Sequence, residues 1–396
     1  MPSNDLVQRS FKYHLIIMKI FGLYPFDSWP QYFTPYALFL YIIFTIATPI
    51  LAVIHLIVDE KPIVDVITEN AFMIVELIAL IAKFLPFKIY PERTKKALSA
   101  LNKEIFNNHL PEQESVLDET VANCRFIFRI FCTSCAFAVL SWASLPLMYE
   151  ERRFPIDVWL PFEPFENTAV YLSVYLFVCL SGVHAGFDNA TVDSIVALLI
   201  YNASSQVIIL KDTLMHLSKR TEDEISKENR SLSTEEKENL KSDIIYKKIC
   251  HCVDHYNAIY QFVEDLEDIF SMVVFSQLIA SIIIICICCL QLSVAVPFTI
   301  PFFGAVSFLT AALLELFLYC YSGTLLFEES GTIVTAIYMS NWYNYDKKSK
   351  KALLTMMERA KRPMMVTAGK LMNFSLETFS TVIRRSYSLL AVLKNY

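Results

Sequence analysis

Apolar residues in this chain gather into runs of about 20, the length an α-helix needs to cross a ~30 Å hydrocarbon layer. Five runs are nearly uninterrupted: residues 34–58, 126–148, 168–187, 270–296 and 301–327. Two more keep apolar stripes at helical spacing but carry charge. Residues 63–85 include Asp65, Glu69, Glu76 and Lys83, and residues 366–393 include Lys370, Glu377, Arg384 and Arg385. Together they predict an all-α polytopic membrane protein with seven transmembrane helices. The first run is too long for the apolar part of a cleaved signal and follows a polar-aromatic leader, residues 1–33, so it is read as a span.

Lys and Arg concentrate in the leader and in segments 86–125, 212–269 and 328–365; the opposite side holds only Lys61, Arg152, Arg153 and Lys394. Basic loops stay on the cytoplasmic side. The amino terminus is therefore expected inside and the carboxyl terminus outside. Helical spacing also outruns the membrane. It continues from Thr168 to about Leu217, about 50 residues or about 75 Å. Ile249, Cys252, Tyr256, Ile259, Val263, Leu266 and Phe270 follow the alternating three- and four-residue spacing of a helix-packing seam. These stretches predict a helical anchor bundle in the cytoplasm, with residues 218–243 as a charged, solvated linker. The resulting division is leader 1–33, spans one to four over 34–211, linker and helical extension 212–269, spans five and six over 270–327, anchor helix 328–365, and last span with tail 366–396. No internal repeat stands out, which weighs against an inverted-repeat transporter.

Composition narrows the function classes. Hydrophobic residues make up 55%, charged residues 19%, and mean hydropathy is +0.43, with 30 Phe and 20 Tyr against 7 Gly. A glycine-rich dinucleotide fold and a disordered chain are both excluded. The net charge of −6, spread over loops, argues against nucleic acid as a partner. All ten cysteines fall in predicted helices or inner segments, so a disulfide framework is not expected. Cys250, His251, Cys252 and His255 have the chemistry of zinc ligands, but on a helix those offsets point around the barrel and do not converge. No phosphate loop, HExxH or GxSxG occurs; neither catalysis nor a cofactor or metal is expected.

The last span carries the most information. Asn373, Glu377, Ser380, Thr381, Arg384 and Ser388 recur at three- and four-residue intervals along one face. So polar a face cannot meet lipid. It is either buried within one protomer and satisfied by neighbouring helices, or it lines water. Both signs of charge and several hydroxyls suit a pore wall, and Ala391, Val392 and Leu393 follow where an apolar ring closes a pore by dewetting. One helix encloses nothing, so several subunits would each contribute one. The stripe Asp65, Glu69, Glu76 and Lys83 should face the bundle interior as a structural network or a ligand contact, and Glu315 admits the same two readings. A pocket for a small apolar ligand is expected in the outer half, from Asn70, Met73, Ile74, Ser141, Trp142, Leu145, Tyr171, Tyr175, Val178, Phe302, Phe303 and Ser307. The aromatic, proline-rich loop Phe154 to Phe162 is placed to act as its lid.

The carboxyl-terminal third resembles the insect odorant receptor family. The resemblance rests on Ala336-Ile337-Tyr338, Asn341-Trp342-Tyr343, Asp346, Leu353-Leu354, Met357, Arg359-Ala360, Pro363, Thr367-Ala368-Gly369-Lys370, Ser375-Leu376-Glu377, Phe379 and Ser386-Tyr387-Ser388. The loop around Trp159 and Pro161 and the leader's Phe21-Gly22-Leu23 also fit. The resemblance implies a ligand-gated, non-selective cation channel, a tetramer joined mainly through a cytoplasmic anchor. Its seventh helix would be split into an anchor piece, about 332–362, and a pore piece, about 364–393, with the gate on Val392. It further implies a tuning subunit that works with an obligate co-receptor, since the inner segment 212–243 lacks the co-receptor's long insertion. A small volatile odorant, membrane lipid, the plasma membrane and the dendrite of an olfactory neuron follow from the same resemblance. Two alternatives are a G-protein-coupled chemoreceptor, which needs the amino terminus outside, and a gustatory-type channel relative.

Overall fold

The computed structural model describes residues 5–24, 30–58, 71–89, 91–227, 234–294 and 296–393. Helix α1 (Leu6–Ile20) starts where the Asp5 carboxylate accepts from the Gln8 amide at 2.9 Å. Its spacing buries Leu6, Val7, Phe11, His14, Leu15 and Met18 on one face. The leader thus carries a docked helix over Leu6–Ile20. Arg9 pairs with Asp118, and Arg125 Nε donates to the Arg9 carbonyl at 2.9 Å.

The first span is α2 (Pro30–Leu40), a π-helical stretch Tyr41–Ala47, and α3 (Thr48–Val58). The π-helical widening ends just before Pro49, which has no amide to donate to the Thr45 carbonyl and crowds it. Helices α4 (Ala71–Ile89), α5 (Pro91–Ala100), α6 (Glu104–Asn107) and α7 (Glu114–Ser144) follow. Next come α8 (Thr168–Met215), α9 (Leu217–Lys227), α10 (Thr234–Val294) and α11 (Ile300–Gly331). The chain closes with α12 (Ile333–Met339), α13 (Lys347–Ala360), the short strands β1 (Thr367–Ala368) and β2 (Met372–Asn373), and α14 (Leu376–Leu393). Among the described residues, five helices are long and apolar enough to cross a membrane: those over Tyr32–Val58, Pro111–Met148, Thr168–Met215, Glu235–Ser293 and Phe302–Met339. Helices α4 and α14, of 19 and 18 residues, have nearly the length to span but carry charge. The predicted span 63–85 begins outside the described residues, and its helix runs on to Ile89.

Helix α8 is the central mast, 48 residues or about 72 Å long. Between Asp188 and Leu210 nearly every side chain is buried, beneath α7, α10 and α11. A helix covered on all sides must satisfy its polar groups locally. Ser194 therefore donates back to the Ala190 carbonyl at 2.6 Å, and Ser205 to that of Tyr201 at 3.2 Å. On the neighbouring α10, 61 residues long, all seven residues of the predicted seam are buried.

Three expectations need correction. Residues 218–243 are largely helical among the described residues, and their charge pairs α9 with α10: Lys241 meets Glu222 at 2.8 Å and Lys248 meets Glu224 at 2.6 Å. The anchor segment 328–365 is three pieces, the end of α11 with α12 and α13; Asp346 starts the last by accepting from the Lys348 and Ser349 amides. Finally, α14 does not begin near 366. Gly369 and Lys370 both take left-handed backbone, φ +60° and +59°, and turn the chain into the antiparallel pair β1–β2. The turn docks on α10, where the Gly369 amide donates to the Ser271 carbonyl at 3.1 Å. A Cβ on Gly369 would lie 2.8 Å from the Phe275 ring, so glycine is required there.

Candidate functional site

Helices α4, α7, α8, α10 and α11 enclose a cavity of ≈ 70 Å³. Its walls are apolar: Met73, Leu77 and Leu80 on α4, Phe131, Ala138 and Val139 on α7, Ala185 on α8, Ile284 on α10, and Phe308 and Ala312 on α11. Gly182 and Gly186 let α7 and α8 approach. A Cβ on Gly182 would fall 2.3 Å from Trp142 Cζ3, and one on Gly186 2.7 Å from Val139 Cγ2.

Polar groups gather at one part of the lining: Glu76, Asn189, Gln277 and Glu315. They belong to a buried network centred on Lys83, which has no exposed side-chain surface. Lys83 pairs with Asp193, stands 3.6 Å from Glu315 and donates to Asn189 Oδ1. Asn189 Nδ2 donates to Glu315 at 3.3 Å, the Tyr319 hydroxyl donates to Asp193 at 2.6 Å, and Gln277 Nε2 donates to Glu76 Oε2 at 3.4 Å. Burying a cation is tolerable when carboxylates and an amide surround it in this way. The inward stripe of α4 was legible in the sequence as Glu76 and Lys83. Asp193, Asn189 and Tyr319 were not, because nothing in their spacing distinguishes a network partner from a surface residue.

The cavity lies deeper than expected. On each contributing helix its lining is displaced inward, to 73–80 on α4, 131–139 on α7, 182–189 on α8 and 308–315 on α11, and α10 supplies a wall that was not foreseen. Of the predicted pocket residues, Met73 lines it. Ile74 and Val178 are buried outside it. Ser141, Phe302, Phe303 and Ser307 also lie outside the lining, Phe303 being exposed and in edge contact with Phe302 at 5.7 Å. Trp142 packs behind Gly182. Tyr175 donates to the Ala143 carbonyl, and Tyr171 to that of Arg153 at 3.2 Å while its ring faces Phe154 at 5.5 Å. Aromatic character marked packing and loop anchoring here, whereas small residues on α8 marked the space. Asn70 falls outside the described residues, as does the side chain of Leu145. The loop Phe154 to Phe162 folds inward: Phe154, Ile156 and Val158 are buried, and the Trp159 amide donates to the Leu51 carbonyl at 3.0 Å.

Helix α14 begins at Ser375, whose hydroxyl accepts from the Thr378 amide at 3.1 Å. Val382 and Ser386 are buried against the protomer, and Phe379 meets the Phe317 ring at 5.8 Å. Glu377, Ser380, Arg384 and Ser388 are exposed on the opposite side, with Thr381 half-buried between. The polar face is therefore not sealed inside the chain. Asn373 is exposed but sits in β2, one element before the helix. Val392 belongs to α14; its side chain is outside the described residues.

Known proteins share this plan. The family model described as 7tm odorant receptor matches residues 63–387. Odorant receptor Or1 of Anopheles gambiae is 23% identical over 412 aligned positions, covering 100% of this chain and 97% of its own. Odorant receptor 2a of Drosophila melanogaster is 23% identical, covering 72% of this chain and 70% of its own. The structure of the insect olfactory receptor OR5 from Machilis hrabei in complex with eugenol superposes with a TM-score of 0.82 at 17% identity, covering 98% of each chain. With the family model matching residues 63–387 and a relative aligned over the whole chain, the chain belongs to the insect odorant receptor family.

Proposed function

We propose that the protein is the odorant-binding subunit of a ligand-gated, non-selective cation channel, a multi-pass protein of the plasma membrane of olfactory neurons. The observation that carries this reading is the exposed face of α14. Glu377, Arg384 and Ser388 project away from the protomer on a helix whose other side is packed, and such a face in a membrane needs water or another subunit. Four copies, this chain with its co-receptor, would bring their α14 helices around one aqueous path and place Val392 at its narrowest ring. Helices α8 and α10 support the same plan, because both run far beyond a membrane's thickness and bury their extensions together with α9 and α13 as an anchor. The docking of α1 on the Asp118–Arg125 end of α7 supports an amino terminus on the side of the basic loops. A volatile odorant held in the cavity would bias α14 outward, since α10 and α11 both line the cavity and pack on α14.

Expression with and without the co-receptor, under whole-cell recording, tests the proposal. An odorant-evoked cation current that appears only with the partner is expected. Slow G-protein-dependent signals without current would overturn it.

A further inference from the structure

The cavity's polar atoms are unevenly used. Lys83, the cation of the adjoining network, is engaged by Asp193, Glu315 and Asn189. Glu76 is 9% exposed, and one of its oxygens takes only the long 3.4 Å bond from Gln277. Its other oxygen, Oε1, meets no donor among the described residues, and neither does Gln277 Oε1. Both side chains line the cavity. Ser281, also in the lining, adds one hydroxyl that can donate or accept, so the unpaired capacity is acceptor-rich, two oxygens against one O–H. Asp193 and Glu315 share the one ammonium of Lys83, and Glu76 makes no ion pair within 4 Å among the described residues.

We infer that this cavity selects small apolar molecules that carry a hydrogen-bond donor, amines first and alcohols second, with Glu76 and Gln277 receiving the N–H or O–H. An ammonium head supplies several donors, and its bond to a carboxyl group is charge-assisted. A hydroxyl supplies the donor alone. A carbonyl or ether has no donor for Glu76 Oε1 and Gln277 Oε1 and leaves both unpaired. Sites built to bond a ligand's N–H or O–H reject analogues lacking it far more strongly than apolar pockets discriminate by size. The apolar walls, Leu77, Leu80, Phe131 and Phe308 among them, accept the hydrocarbon remainder.

The inference rests on the cavity being the odorant site, so the test separates the two. Purified full-length protein is titrated with hexylamine, hexanol, hexanal and hexane, binding being followed by tryptophan fluorescence and thermal shift. Hexylamine and then hexanol are expected to bind about tenfold or more tightly than hexanal. Glu76→Gln should weaken hexylamine about tenfold while leaving hexane within about twofold. Should that variant not fold, the wild-type ranking and Gln277→Met decide. Hexanal binding as well as hexylamine, or no member binding at all, overturns the inference. The same panel under whole-cell recording with the co-receptor tells the failures apart. Donor-ranked binding without current sinks the channel and keeps the ligand class; current without donor ranking does the reverse.

Discussion

Replacing Lys83 by Met removes one buried cation from among Asp193, Glu315 and Glu76 while nearly keeping side-chain volume. Lys83 and Glu315 are 3.6 Å apart; at an effective dielectric of about 20, that separation corresponds to about 4–5 kcal/mol of Coulomb attraction. Part of this is offset by the cost of desolvating the ions, yet removing one partner strands the others without compensation, which costs about 3–5 kcal/mol. For 396 residues, at about 2.1 cal/mol/K of unfolding entropy per residue, each kcal/mol lowers the thermal midpoint by about 1.2 °C, so Lys83→Met should lower it by about 4–6 °C. The assay is detergent-solubilised protein heated and resolved by fluorescence-detected gel filtration. Asp193→Asn keeps an acceptor for the Tyr319 hydroxyl, which donates to it at 2.6 Å. In the Lys83→Met background it should therefore restore part of the loss, and the double-mutant cycle should show a coupling of about 1.5 kcal/mol or more. A midpoint within about 2 °C of wild type for Lys83→Met, or strict additivity in the cycle, would refute the idea that these groups form one network.

Three further outcomes follow from particular contacts. Gly182→Ala drives a methyl to 2.3 Å from Trp142 Cζ3; separating α7 from α8 should cost about 1–3 kcal/mol and raise the ligand concentration for half-response, and unchanged thermal stability would count against this packing. Burial, aided by the neighbouring His251, lowers the His255 pKa to about 4, and its Nε2 lies 3.0 Å from Gln206 Oε1 in the bundle formed by the long helices α8 and α10. The unfolded chain, its histidine titrating near pH 6.5, then binds the proton first, so the His255 contribution is constant above that pH and falls by about 1.4 kcal/mol per unit between pH 6.5 and 4. His255→Gln should flatten that fall in pH-dependent unfolding, and an identical slope would remove His255 as its source. Val392→Ala, by widening the proposed apolar ring, should raise resting current at normal surface expression, and an unchanged leak would remove Val392 from the gate.

What the sequence alone determined was periodic. Runs of about 20 apolar residues set the helices, and the seam from Ile249 to Phe270 foretold one buried face of α10, because side chains three and four residues apart must lie on one side. The polar stripe Glu377, Arg384 and Ser388 was equally readable, since α14 is regular over that stretch. Only the tertiary structure decided what each face meets. Lys83 and Asp193 are 110 positions apart, and Lys83 and Glu315 lie still farther along the chain, so no local spacing joins them. The cavity sits where Gly182, Ala185 and Gly186 leave space, not where Trp142 and Tyr175 stand, because an enclosed volume comes from the mismatch between five packed helices. Asn373 left the stripe for a similar reason. Gly369 docks against Ser271 on a distant helix, and that contact turns the chain before α14 begins.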